Sequence, residues 1–143
     1  MNKSPNNTLF IDAGAWIALS DRHDKFHRAA QTASPMLSKE FPNWITTNLV
    51  VAETHVLIRK RGGHIHAIRF LETLRKSKHV RIVYADAILE SLAIEILRRY
   101  SDQDFSYTDA VSFALMRQRG ILEVFTFDHH FSVLGFVTLP EIK

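Results

Sequence analysis

The sequence predicts an α/β fold, a three-layer α/β/α sandwich with a mostly parallel central sheet. Three observations predict it. Short apolar runs recur along the 143 residues, separated by longer segments whose apolar residues repeat every three or four positions, the pattern of strands joined by helices. Helical crossovers of that length let neighbouring strands run parallel, with both faces of the sheet covered. No linker, repeat or low-complexity tract interrupts the pattern. With 46% hydrophobic residues the chain can bury one core, so residues 1–143 are expected to form a single domain.

Each element follows in order. Thr8 to Asp12 (TLFID) is an apolar run ending in an acid, and Gly14 with Ala15 to Leu19 suggests that this strand leads into a helix. Phe26 to Lys39 reads as a helix with Ala29, Ala30, Ala33 and Leu37 inward, and Trp44 to Thr47 as a short strand after Pro42. A helix over Leu49 to Arg61 closes at Gly62-Gly63. His64 to Lys76 is the next helix, with Ile65, Ile68 and Leu71 inside, joined by Phe70 and Leu74. Val80 to Ala85 reads as a strand. Leu89, Leu92, Ala93, Ile96 and Leu97 make a helix of Ile88 to Tyr100, and Tyr107 to Arg119 is helical up to Gly120. Val124 to Phe127 and Phe136 to Leu139 complete the strands.

Composition excludes several function classes. There is no cysteine, so disulfides and thiolate metal sites are ruled out, and any metal must bind oxygen or imidazole. No run of about 18 apolar residues appears, and Met1 to Asn7 lacks the apolar core of a signal peptide. A cytoplasmic protein with no membrane contact is the expectation. The formal charge of +3 says little by itself. Its distribution says more: Arg59, Lys60, Arg61, Arg69, Arg75, Lys76, Lys78 and Arg81 share their stretch with Glu72 alone. That segment is either a phosphate-facing surface, with Arg75 and Lys76 as RNA contacts, or a solvated helix face.

Four scattered acids are expected to meet. Open parallel sheets bind ligands at the carboxyl ends of their strands. Asp12 ends the first strand and Asp128 follows the strand Val124 to Phe127. Glu53 and Asp109 lie early in helices that leave the same edge, so all four converge there. Glu53 has Leu49, Val50, Val56 and Leu57 at helical spacing, and a carboxylate on such an apolar face needs a metal or a partner such as Arg59 or Lys60. Ser106 and Asp109 also form a capping-box pattern, which is compatible with a site role. Crowded carboxylates repel unless a divalent cation lets them stay ionised, and oxygen-only ligation favours Mg²⁺ or Mn²⁺. Such ions promote phosphodiester hydrolysis.

The segments LFIDAGAWIAL, TTNLVVAETHVLIRK, SYTDAVSFALM and VFTFDHHF resemble, in order and spacing, the four acidic motifs of PIN domains. The resemblance covers nearly the whole chain. It implies an Mg²⁺- or Mn²⁺-dependent endoribonuclease with Asp12, Glu53, Asp109 and Asp128 as catalytic, metal-binding acids. Thr126 matches a hydroxyl position that supports the acidic site, and Asp104 resembles a further acid of some members or is a plain loop residue. The chain also has the size of VapC-type toxins, which implies an RNA substrate, a small antitoxin partner and a homodimer. His129-His130 stands where a basic residue is frequent, as a phosphate contact or as loop.

Other readings stay open beside this one. His23 and His27 have the spacing of a helical metal pair, but their charged neighbours favour a solvated face. His64 and His66 do not share a helix face, and Trp16 and Trp44 read as core. A catalytically silent PIN-type RNA- or protein-binding module differs from the nuclease only in lacking metal-dependent activity. A Mg²⁺-dependent phosphatase-like α/β enzyme would want a second acid close after the first, where this chain has Ala13-Gly14-Ala15.

Overall fold

A computed structural model of the chain describes residues 7–141. The stretch Met1–Asn6, read above as polar, lies outside the described residues. Five strands form one sheet, β1 (Thr8–Ile11), β2 (Asn43–Thr47), β3 (Val80–Val83), β4 (Glu123–Phe125) and β5 (Val137–Leu139), in the order β3-β2-β1-β4-β5. Every neighbouring pair is parallel, with Leu9 opposite Trp44, Trp44 opposite Val80, Ile11 opposite Phe125 and Val124 opposite Thr138. The helices are α1 (Ala13–Ser20), α2 (His27–Glu40), α3 (Asn48–Gly62), α4 (His64–Lys76), α5 (Ala87–Arg99), α6 (Tyr107–Arg119) and the short α7 (His130–Val133).

Right-handed crossovers fix the layers. Steps β1 to β2 to β3 move one way along the sheet, whereas β3 to β4 jumps back across it, so α1–α4 and α5–α6 cover opposite faces. Contacts agree, since α1 packs on α2 and α3, α3 on α4, and α5 on α6. Alternation along the strands builds one aromatic cluster per face. Trp16, Trp44, Phe70 and Phe125 meet beneath α1 and α4, with ring centroids 5.9–6.1 Å apart along the series. Phe10 turns to the other face and meets Phe131 of α7, which packs with Phe113 and Phe136. A strand covered on both faces has no polar side to show, which is why Leu9, Phe10 and Ile11 are all fully buried.

Several expectations change. In α4 the buried residues are Ala67, Phe70 and Leu74; Ile68 and Leu71 are half-buried, while Ile65 is 68% exposed. Ile65 lies on the first turn of α4, off the face on which Ala67, Phe70 and Leu74 are buried. In α5, Leu89, Ala93 and Ile96 face inward and Leu92 does not. The buried stripe of α3 is Val50, Thr54 and Ile58, so Glu53 stands beside the stripe as an exposed residue rather than on a buried apolar face. α7 was not anticipated, because four residues carry too little periodicity. Strand β4 ends at Phe125, two residues earlier than its apolar run. Thr126 nevertheless continues the pairing, its N–H donating to the Leu139 carbonyl at 3.0 Å.

Candidate metal centre

The sheet order reverses between β1 and β4, and at such a switch point the loops leaving adjacent strands diverge to opposite faces and open a crevice. Asp12 leaves β1 and Asp128 follows β4 on either side of that crevice. Helix α3 starts directly after β2 and presents Glu53 in its second turn, and α6 presents Asp109 in its first. The four acids line one recess of about 300 Å³, together with Gly14, Lys25, Phe26, Arg61 and Phe127.

Each carboxylate is placed by local chemistry. Asp12 occupies the N-cap position of α1 in extended conformation, yet its side chain makes no capping bond to that helix. Instead Thr126 Oγ1 donates to Asp12 Oδ2 at 3.0 Å, and the same hydroxyl accepts the Asp128 N–H at 3.0 Å. One buried threonine thus ties the two sides of the crevice together. On the other side of β1, buried Thr46 of β2 donates to the Ile11 carbonyl at 2.9 Å just before Asp12. Asp109 closes a complete capping box: its N–H donates to Ser106 Oγ and its Oδ2 accepts the Ser106 N–H, both at 3.0 Å. The cap uses Oδ2, and among the described residues no hydrogen bond engages Oδ1. Asp128 Oδ1 accepts the His130 N–H at 2.9 Å.

Electrostatically the cluster is short of positive charge: among the described residues Lys25 and Arg61 line the recess, but neither is paired with any of the four acids. Burial raises the Asp12 carboxyl from 3.8 to about 7; the charges of Asp109 and Asp128 add to the rise, and bonds from the Ala13 N–H and Thr126 oppose it. Burial also raises Asp109, as does the Asp128 charge, against the Ser106 bonds. Glu53 rises for the same first cause, with Asp109 second and the Thr108 side chain opposing. The recess does contain Arg61, but that guanidinium is already engaged by Asp21 at 3.2 Å and Asp24 at 2.8 Å. Four carboxylates with oxygen donors, one of them buried and held near neutral pKa, fit a hard divalent cation.

The structure also sorts the remaining residues. Asp104 is exposed and does not line the recess. Arg75 and Lys76 are exposed on the last turn of α4, four residues before β3, at the amino edge of the sheet. Nearby, Lys78, His79, Arg81 and Arg119 line a separate recess of about 710 Å³ with Thr8 and Asn43, the first residues of β1 and β2. A crossover must return to the amino edge before each parallel strand begins. Arg75, Lys76, Lys78 and Arg81 therefore lie at least one strand length, about 13 Å at ~3.3 Å per residue, from the acids, whereas Arg61 of the same basic segment lines the acidic recess.

His130 was singled out only as part of a basic pair, and the two histidines part company. His129 is 82% exposed. His130 is enclosed, its Nδ1 buried without a hydrogen bond, 3.2 Å from Asp128 Oδ1 and 3.8 Å from Asp109 Oδ2. The sequence signal was the apolar Phe131 that follows, since a buried Phe131 draws its neighbour inward. Asp128, His129 and His130 also have nitrogen and oxygen atoms close enough together to share an ion. His27 spends its Nδ1 on the Ala18 carbonyl at 2.6 Å, which makes it a tie between α1 and α2, and Trp16 and Trp44 are core.

A parallel sheet between helical layers, with four acids at its carboxyl edge, is the arrangement that the PIN domain motifs implied. The PIN domain family model matches residues 9–137, and the chain belongs to that family. It is similar to the 23S rRNA-specific endonuclease VapC20 of Mycobacterium tuberculosis, 37% identical over 134 residues, which span 93% of this chain and 99% of that protein. The VapC ribonuclease of Archaeoglobus fulgidus is 32% identical over 125 residues, 86% of this chain and 78% of its own. The crystal structure of M. tuberculosis VapC20, described as a sarcin-ricin loop cleaving toxin, matches with a TM-score of 0.83 at 36% identity. That match covers 90% of this chain and 96% of the other.

Proposed function

We propose that this chain is a VapC-type endoribonuclease, dependent on Mg²⁺ or Mn²⁺ and held by Asp12, Glu53, Asp109 and Asp128, that acts as the toxin of a toxin–antitoxin pair. The observation that carries the reading is the convergence of these acids around an Asp12 whose pKa is raised to about 7. Asp12, Glu53, Asp109 and Asp128 would hold a divalent ion, which when bound would supply the positive charge that keeps the acids ionised and the Lewis acidity that phosphodiester hydrolysis needs. The protein supplies placement: Thr126 orients Asp12 and holds the Asp128 backbone, the capping box fixes Asp109, and Glu53 guards the solvent side. Asp104, outside the recess, is left as a loop residue.

The similarity to VapC20 makes 23S rRNA the substrate to test first. Cleavage is expected with Mg²⁺ or Mn²⁺ and is lost in excess EDTA, leaving 5′-phosphate and 3′-hydroxyl ends. Cleavage that persists in EDTA, or 2′,3′-cyclic phosphate products, overturns the mechanism. A small antitoxin encoded beside the gene, a homodimer and a cytoplasmic location belong to the same reading. Light scattering at micromolar concentration tests the dimer. Among the described residues no helix is long and apolar enough to cross a membrane.

A further inference from the structure

The acids account for only part of the recess. Lys25, Phe26 and Arg61 also line it, and none of them can ligate a divalent cation. They are held there by a specific staple. Arg61, on the last turn of α3, reaches back to the turn between α1 and α2 and donates from Nη1 to both Asp21 and Asp24. Those two acids in turn accept the backbone N–H groups of His23 at 2.9 Å and Phe26 at 3.0 Å, fixing the turn's conformation. Both bonds of Arg61 use Nη1. Its Nη2 and Nε donors are uncommitted, on a side chain 45% exposed.

Phe26 is the more telling residue. Its ring stacks on Phe127 at 4.5 Å with planes 3° apart, so Phe127, one residue before Asp128, backs a flat aromatic surface at the cleft. With Phe127 on one face of the ring, the ammonium of exposed Lys25 lies over the other, 5.0 Å from its centroid, so a base stacking on Phe26 takes the place of that ammonium and moves it toward the phosphate. A half-buried aromatic plane with an exposed lysine over it and a stapled arginine lining the same recess, next to the acid cluster, has the chemistry of a nucleotide platform. Unpaired bases stack on aromatic faces while their phosphates meet Lys and Arg.

Building on the ribonuclease reading, we infer that Phe26, Lys25 and Arg61 form a subsite for an unpaired nucleotide beside the scissile phosphate. The base stacks on Phe26, and the adjoining phosphate is held by Lys25 and the free donors of Arg61. The enzyme therefore selects RNA whose base at that position is unstacked.

The test uses Asp128→Asn protein with Mg²⁺, to stop cleavage, and a single-stranded oligoribonucleotide followed by fluorescence anisotropy. In that background Phe26→Leu is expected to weaken binding about 5- to 100-fold, the range of one base–aromatic stack, while Phe26→Trp keeps it. Lys25→Gln is expected to flatten the logarithmic salt dependence by roughly 0.7. The Mn²⁺-induced melting shift of Phe26→Leu, made in otherwise native protein, should be unchanged. Should Phe26→Leu fail to fold, oligonucleotides carrying 2-aminopurine at successive positions still decide: stacking on Phe26 quenches one position. Equal binding by Phe26→Leu, or no quenched position, overturns the subsite. Native protein that binds RNA with quenching yet cuts none with Mn²⁺ would instead sink the nuclease reading alone.

Discussion

At Asp12, folding and metal binding make opposite demands on one proton. An acid whose pKa rises on folding favours the folded chain only while protonated. Below the ordinary value of 3.8 both states hold the proton, and between there and about 7 only the folded chain does. Stability of the metal-free protein is therefore expected to fall as pH rises across that window and to level off above it, with Glu53 and Asp109 adding in the same direction. Melting in EDTA at a series of pH values checks this, and a flat profile contradicts it. Metal needs ionised ligands, so the Mn²⁺-induced shift should grow over the same range. Asp12→Asn is expected to melt no lower than native protein at pH 8 without metal, and to lose both the Mn²⁺ shift and cleavage. Thr126→Val removes only the hydroxyl that bridges Asp12 and Asp128, and should weaken Mn²⁺ by about 10- to 100-fold, as loss of a group supporting a ligand usually does. A Thr126→Val protein with native Mn²⁺ affinity would show that the hydroxyl merely fills space.

Helix α6 combines an observed cap and a proposed metal-ligand role in Asp109, and substitutions at its N-terminal end separate the two. Ser106→Ala deletes the cap acceptor without touching Asp109's charge, so about 1 kcal/mol of stability should go while the Mn²⁺ shift persists. Asp109→Asn keeps an oxygen for the Ser106 N–H but removes a ligand charge; it should retain most of the stability and lose the shift. Calorimetry with and without Mn²⁺ distinguishes the pair, and the reverse pattern would make Asp109 a cap alone. The capping box itself was legible, since Ser106 and Asp109 stand three apart before an apolar run. Which oxygen each role uses was not, because both readings share one sequence. The inward faces of α4 and α5 were legible as spacing but not as phase: Ile65 and Leu92 fit the period and still face out, because where a helix meets its neighbours is set by docking, not by its own repeat.

On the scale of the whole molecule, the parallel sheet sends its two charge clusters to opposite edges. The acids collect where strands end, and Lys78, Arg81 and Arg119 where strands begin. Reversing Arg75 and Lys76 to Glu is accordingly expected to leave kcat/KM unchanged within about twofold on an oligonucleotide too short to span both edges, since exposed charges beyond a Debye length of ~10 Å are largely screened at 0.1 M salt. Single-turnover assays at that salt test it. A tenfold loss on the short substrate would mean that Arg75 and Lys76 act on the cleft after all.

Four carboxylates in order, two at strand ends and two early in the helices that follow, sufficed to read an oxygen-ligand cleft from the chain alone. Strand ends and helix starts share one edge whatever the details of packing, so that much needs only the period of the apolar residues. The layer architecture followed from the same pattern, because long helical crossovers admit little but a parallel sheet. Tertiary structure decided what depends on distances between segments far apart in sequence. It put the Thr126 hydroxyl between Asp12 and Asp128, turned His130 rather than His129 against the acids, and brought Arg61 back to Asp21 and Asp24. It left Asp104 outside the cleft. Local pattern records which face a residue shares with its near neighbours; it carries no record of which distant side chain will occupy the space beside it, and the acidic cleft with its lining is built from those encounters.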